Sequence, residues 1–153
     1  MSQENKRITK FNSLIVEYLN TFNYLELNVG LCIRHLSSLG IEGADRKLER
    51  MSFEKKLKWL LKLTKTENSE DLHAWCQEAH EKRQERNMYL HGQWAFFPHL
   101  EEGVEFFVAP WVKKKYVNIY PGSRFNLQKL ENIVADIKSC FEQLQILRRK
   151  HDI

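Results

Sequence analysis

The residues best suited to chemistry lie in the short run from Arg86 to Gly92, where Arg86 is followed at once by Asn87 and five positions later by His91. A guanidinium keeps its positive charge at physiological pH and can hold two phosphate oxygens at once. An imidazole titrates near neutrality, so it can accept or donate a proton. Metal-free cleavage of RNA by its own 2′-hydroxyl needs both kinds of group. The run therefore indicates phosphodiester chemistry.

The spacing of this run carries more information than the pair alone. An Arg followed by a His after four to six intervening residues is expected about once by chance in a chain of this composition. Requiring Asn directly after the Arg and Gly directly after the His makes a chance match far rarer. The hypothesis thus depends on Arg86, Asn87, His91 and Gly92 together.

A helix should carry this run. It is predicted to begin near Asn68 or Ser69 and to end at His91, since glycine is common just past a helix end. Steps of three and four along it give one face that changes from apolar to basic: Leu72, Cys76, Ala79, Arg83, Arg86 and Leu90. Charges are rarely buried without a partner or a ligand. Either the two arginines face a groove or subunit interface that admits an anion, or the helix leaves the core after Ala79 and they are solvated.

Three further helices are predicted from apolar periodicity. The first covers residues 4–38, the second opens at Ser52 as N-cap, and the last begins near Asn126. Residues 37–43 are interpreted as a loop. The stripe of the first helix consists of Phe11, Ile15, Tyr18, Phe22, Leu25, Val29, Cys32 and Leu36.

The period changes in residues 93–122, where short aromatic and β-branched runs at 94–97, 104–108 and 116–120 predict strands. We expect a mainly α protein, a bundle of four to five helices. A small antiparallel β hairpin or three-stranded meander is inserted before the last helix. Residues 1–153 are expected to form a single domain.

Composition narrows the class of protein. The chain is 42% hydrophobic and 29% charged, with a net charge of +4, which suits a globular protein and allows a polyanionic partner. No apolar stretch is long enough to span a membrane, and a cytoplasmic location is expected. The spacing of the three cysteines favours free thiols, and no metal site or cofactor is predicted. Lysines 113–115 beside Trp111 are interpreted as a solvated turn, with a nucleic-acid patch as the alternative.

The motif and its helical context resemble the HEPN superfamily, a group of small helical-bundle ribonuclease and nucleotide-binding domains. Its nuclease members carry Arg-x4–6-His, often with Asn directly after the Arg, and Arg86, Asn87 and His91 match that pattern. The order of helices, with the motif at the end of the third predicted one, is also similar. The resemblance implies a HEPN-like up-and-down bundle.

The activity that the resemblance implies is that of a metal-independent endoribonuclease in prokaryotic defence or a toxin system, leaving 2′,3′-cyclic phosphate ends. His91 would be general base or acid, and Arg86 would hold the phosphate. Asn87 would orient the scissile phosphate or hold Arg86 in place. Lys82 and Arg83 could contact neighbouring phosphates. A regulatory or antitoxin protein is a further expected partner.

Helix geometry adds a condition on the active site. Five residues turn two side chains about 140° apart, so Arg86 and His91 should not share one face of a straight helix. Catalytic members of the superfamily build a composite site from two motifs, so a homodimer is predicted. Two other interpretations remain: a non-catalytic module that binds RNA, a nucleotide or a protein partner, and a structural dimerisation domain.

Overall fold

A computed structural model describes residues 1–66, 69–109 and 124–153. In these ranges the chain is mainly helical, with a small antiparallel sheet before the last helix, as predicted. The elements are α1 (Gln3–Leu36), α2 (Gly40–Leu48), α3 (Phe53–Thr66), α4 (Glu70–His91), β1 (Gln93–Glu101), β2 (Val104–Ala109), β3 (Arg124–Phe125) and α5 (Leu127–His151).

The predicted helix starts are confirmed by their caps. Ser52 Oγ accepts a hydrogen bond from the backbone N–H of Lys55 at 3.4 Å, at the start of α3. Asn126 Oδ1 accepts one from the N–H of Lys129 at 2.8 Å, at the start of α5. These side chains satisfy backbone donors that have no partner within the first turn of a helix.

The predicted loop at residues 37–43 was wrong in its second half, because α2 begins at Gly40. Gly40 has a φ of 70°, a backbone conformation that glycine adopts without strain and that turns the chain between α1 and α2. Ala44 is fully buried, and its burial stabilises the short helix. Two glycines, Gly40 and Gly43, lower the helical propensity of this segment, which is why its sequence is typical of a loop.

The sheet has the order β1-β2-β3, with both pairs antiparallel. Gly103, at φ 72°, forms the tight turn between β1 and β2. The third strand was predicted at residues 116–120, which lie outside the described residues, as do lysines 113–115. The third strand that the structure describes is β3, which pairs through Phe125 opposite Phe106.

The chain forms two compact units. Unit 1 consists of Met1–Asn20 and Gln84–Ile137, and unit 2 consists of Thr21–Arg83 and Lys138–Ile153. In unit 1, Phe11 stacks on Phe106 with ring centroids 4.3 Å apart. In unit 2, Phe22 meets Phe53 edge-on at 5.2 Å, and Trp75 Nε1 donates to the carbonyl of Cys140 at 3.0 Å.

Most of the predicted α1 stripe is buried. Its buried members are Phe11, Tyr18, Phe22, Leu25, Val29 and Cys32. Ile15 and Leu36 are half-buried instead. No helix in the described ranges is long and apolar enough to cross a membrane.

Candidate functional site

The motif occupies the last two turns of α4, in unit 1. The helix runs without a break through His91, and the N–H of Gly92 still donates to the carbonyl of Met88 at 2.8 Å. The helix end predicted at His91 is therefore confirmed. Since the backbone stays helical, Arg86 and His91 project about 140° apart.

Arg86 and Asn87 are in contact, and both are half-buried. Arg86 Nη1 donates to Asn87 Oδ1 at 3.4 Å. A guanidinium bonded to a neighbouring amide loses some freedom to rotate, so Asn87 helps to set where the positive charge lies.

His91 is exposed in the last turn of α4. An exposed imidazole can reach a ligand from solvent. It also interacts favourably with the negative end of the helix dipole when protonated, a structural use of histidine at this place.

An aromatic cluster inside unit 1 holds this end of α4. Tyr89 is buried and meets Tyr18 at 5.1 Å and Phe125 at 5.7 Å, both edge-on. Trp94, the second residue of β1, donates from Nε1 to the Tyr89 carbonyl at 3.0 Å. Burial raises the pKa of the Tyr89 phenol, and the negative charge of Glu85 raises it further. The hydroxyl therefore stays protonated and is no candidate base.

The buried line predicted for α4 is confirmed at Leu72, Cys76 and Ala79 but is wrong at Leu90. Leu90 is exposed, and the neighbouring Tyr89 takes the inner position. The aromatic rings contributed by α1, β1 and β3 decide this, because they offer Tyr89 partners that match its size. The signal available in the sequence was the aromatic spacing of Tyr89 and Trp94.

Lys82 and Arg83 belong to unit 2 and pair with carboxylates of their own chain. The Arg83 side chain is only 15% exposed, and its Nη1 lies 3.4 Å from Glu54 Oε2. The Lys82 side chain is 21% exposed and lies 3.6 Å from Glu78. Arg83 is therefore not the freely solvated arginine that departure of α4 from the core after Ala79 would produce.

Cationic neighbours stabilise the charged form of the Glu54 carboxylate. The hydrogen bond from Lys58 lowers the pKa of Glu54, and the positive charge of Arg83 adds to the effect. A phosphate that contacted Arg83 would compete with this carboxylate. The RNA contacts assigned to Lys82 and Arg83 stay predictions.

Glu26 of α1 pairs with Lys56 of α3, with Lys56 Nζ 2.7 Å from Glu26 Oε1. The cysteines Cys32, Cys76 and Cys140 are buried free thiols. Burial raises the pKa of Cys32 to about 11 and that of Cys76 to about 12. In the described parts of the chain, no cluster of three or more His, Cys, Asp or Glu side chains has the geometry of a metal site.

Comparisons of the chain with models of protein families, with curated proteins and with solved structures found no match.

Proposed function

We propose that this chain is a HEPN-like, metal-independent endoribonuclease that acts as a homodimer in a prokaryotic defence or toxin system. The observation that carries the proposal is the arrangement at the end of α4. There Arg86 is bonded to Asn87 at 3.4 Å, and His91 is exposed one turn further on. Residue types and positions fit the two tasks of the reaction, anchoring a phosphate and moving a proton.

The proposed reaction uses the nucleophile that RNA itself carries. His91 takes the proton from a ribose 2′-hydroxyl while the 2′-oxygen forms a bond to the adjacent phosphorus. The bond from phosphorus to the 5′-oxygen of the next nucleotide breaks, and an imidazolium donates a proton to that oxygen. The products are a 2′,3′-cyclic phosphate and a 5′-hydroxyl.

Arg86 would act on the charge that develops in the transition state. Negative charge builds on the non-bridging oxygens as the 2′-oxygen attacks. A planar guanidinium can donate two parallel hydrogen bonds to them. Asn87, in contact with Arg86, would hold that fork in its orientation.

The continuous helix favours a composite site. With Arg86 and His91 about 140° apart on α4, one chain presents them in different directions. Twofold symmetry would bring two copies of the motif into one cleft, with two imidazoles available as base and acid. The dimer is thus part of the proposed mechanism.

The test is cleavage of labelled single-stranded RNA in EDTA by the wild type and two variants, His91→Ala and Arg86→Ala. Each variant should lose at least about 100-fold in rate, the usual contribution of a proton-transfer group or a charge-stabilising donor. Circular dichroism checks that each variant keeps its helices.

Matched controls are available in unit 2. His35 is an exposed histidine in the last turn of α1, and Arg46 is an exposed arginine of α2. His35→Ala and Arg46→Ala should cleave at the wild-type rate. Cleavage that persists in both motif variants contradicts the proposal, and RNA that is bound but left intact points to the non-catalytic module.

A further inference from the structure

An aromatic pair on the sheet of unit 1 has no role in the chemistry proposed above. Phe97 is 54% exposed as a residue, and its ring centroid lies 6.3 Å from that of Phe107, with the planes tilted by 57°. Phe107 is half-buried. Leaving a phenylalanine this exposed to water is unfavourable, so such a ring packed against a second ring is a candidate contact for a ligand.

The register of the hairpin explains why Phe97 projects outward. Phe96 pairs with Phe106, and the next pair is Glu101 with Val104, so residues 97–100 of β1 stand opposite one residue of β2. Extra residues in one strand bend it and re-aim side chains, and such bulges are common beside functional sites.

Two ion pairs lie close to this aromatic pair in the part of the chain that the structure describes. Arg124 lies opposite Phe107 in the register and donates from Nε to Glu101 Oε2 at 2.7 Å. Glu105 accepts hydrogen bonds from the Arg7 guanidinium. Both arginines are thus bonded to carboxylates, so the exposed group that Phe97 and Phe107 offer a ligand is an aromatic face, which suits a flat, uncharged group better than a phosphate.

We propose that Phe97, supported by Phe107, stacks on a base of single-stranded RNA and fixes the strand next to the catalytic cleft. This rests on the proposed function, since it takes RNA as the substrate. Phe97 follows His91 by six residues, a reach of at most about 20 Å, so the stacked base lies within a few nucleotides of the scissile phosphate. Stacking tolerates any base, so the contact adds affinity without strict sequence choice.

A second copy of this chain is the other occupant that an exposed strand could take, and the structure disfavours it. Strand addition needs backbone N–H groups along the free edge, and Pro98, directly after Phe97, has none. Proline on an edge strand is a common protection against such pairing.

The experiment measures binding of a fluorescein-labelled oligouridylate by anisotropy, in a His91→Ala background that leaves the RNA intact. Phe97→Ala should weaken binding by about 5- to 100-fold, the contribution of one base stacked on an aromatic side chain. Phe97→Tyr, which keeps a flat ring, should bind within about threefold of the background protein. Leu100→Ala removes a 71% exposed apolar side chain from the same strand and should change nothing.

Salt gives a second readout. Phosphate contacts weaken steeply as salt rises, because they release counterions. Stacking does not release them, so the fold-loss in Phe97→Ala should be the same at low and high salt.

Equal binding by Phe97→Ala and the background protein would overturn the stacking role, and so would a loss that Phe97→Tyr shares. A fall in the dimer fraction of Phe97→Ala by sedimentation, with RNA affinity unchanged, would overturn it in favour of a protein interface. Failure here is distinct from failure of the proposed function. Wild type that cleaves RNA while Phe97→Ala binds normally removes only the stacking role, whereas wild type that neither binds nor cleaves RNA removes both.

Discussion

At the scale of single residues, Gly92 allows the end of the motif to lie close to strand β2 of the sheet. A Cβ on Gly92 would overlap Val108 Cγ2 and would lie 2.5 Å from the Met88 carbonyl oxygen. Its φ lies outside the left-handed region, so the need for glycine comes from space and not from backbone conformation. The close approach of α4 to β2 holds His91 in its place at the end of the helix.

Gly92→Ala should therefore lower the free energy of unfolding by about 1–3 kcal/mol, the usual effect of forcing atoms into a filled space. Gly30→Ala in α1 is the control, because its Cβ would meet nothing nearer than 3.9 Å. That change should raise the free energy of unfolding by up to about 1 kcal/mol, since alanine favours a helix. Urea titration of both proteins measures the two values, and equal stability of the two variants would contradict this account.

At the scale of elements, Asp71 joins the first turn of α4 to the last turn of α5 within unit 2. It accepts a hydrogen bond from the Lys150 ammonium and lies 2.7 Å from His151 Nε2. The bond from Lys150, with smaller help from His151, lowers the pKa of Asp71 to about 2. The charged carboxylate is therefore favoured in the folded state.

The pKa of Asp71 is lower in the folded than in the unfolded chain. Its contribution to the free energy of unfolding is therefore present above about pH 4 and is lost as the pH falls towards 2. Its side chain is a third exposed, and solvent screening reduces the effect to about 1 kcal/mol. The free energy of unfolding of Asp71→Asn should depend less on pH between 5 and 2 than that of the wild type. Urea titrations across this range test it, and parallel pH profiles would show that Asp71 contributes nothing.

At the scale of the whole molecule, the proposed active site needs two chains. One motif per chain and an unbroken α4 leave Arg86 and His91 pointing apart. A twofold axis near the end of α4 would supply the missing partners, and each chain would contribute the same surface.

Mixing two inactive proteins tests this directly. Arg86→Ala keeps both histidines of a dimer and His91→Ala keeps both arginines, so a mixed dimer retains one arginine and one imidazole, with water in place of the second imidazole. Cleavage should reappear on mixing, at a fraction of the wild-type rate. Sedimentation should show a dimer for each protein alone, and a monomeric wild type with no recovery on mixing would contradict the composite site.

Much of the fold was predictable because it depends on local patterns. The ends of α3, α4 and α5 follow from a capping serine, a glycine and a capping asparagine, which act within a few residues along the chain. The prediction of a loop where α2 begins was wrong because it also relied on local patterns. Two glycines give the α2 segment a low helical propensity. Burial of Ala44 stabilises the helix all the same, and local propensity does not report such a contact.

The candidate site was less predictable. Residue types and spacing selected Arg86, Asn87 and His91; the structure shows a hydrogen bond between the first two, and the roles given to all three stay predictions. The spacing of α4 alone could not tell Leu90 from Tyr89 as the inner residue, because adjacent positions both lie near the edge of one helical face. Packing against rings distant in the chain made that choice.

The sequence by itself determined the helical class, the place of the sheet and the helix that carries the motif, since periodicity and caps are properties of neighbouring residues. Tertiary structure decided which side chains are covered: the ion pair of Arg83 with Glu54, the burial of Tyr89 and the space closed around Gly92. Each depends on groups far apart in the chain that meet only when the core packs. Contacts of this kind have no signature in the spacing of one segment.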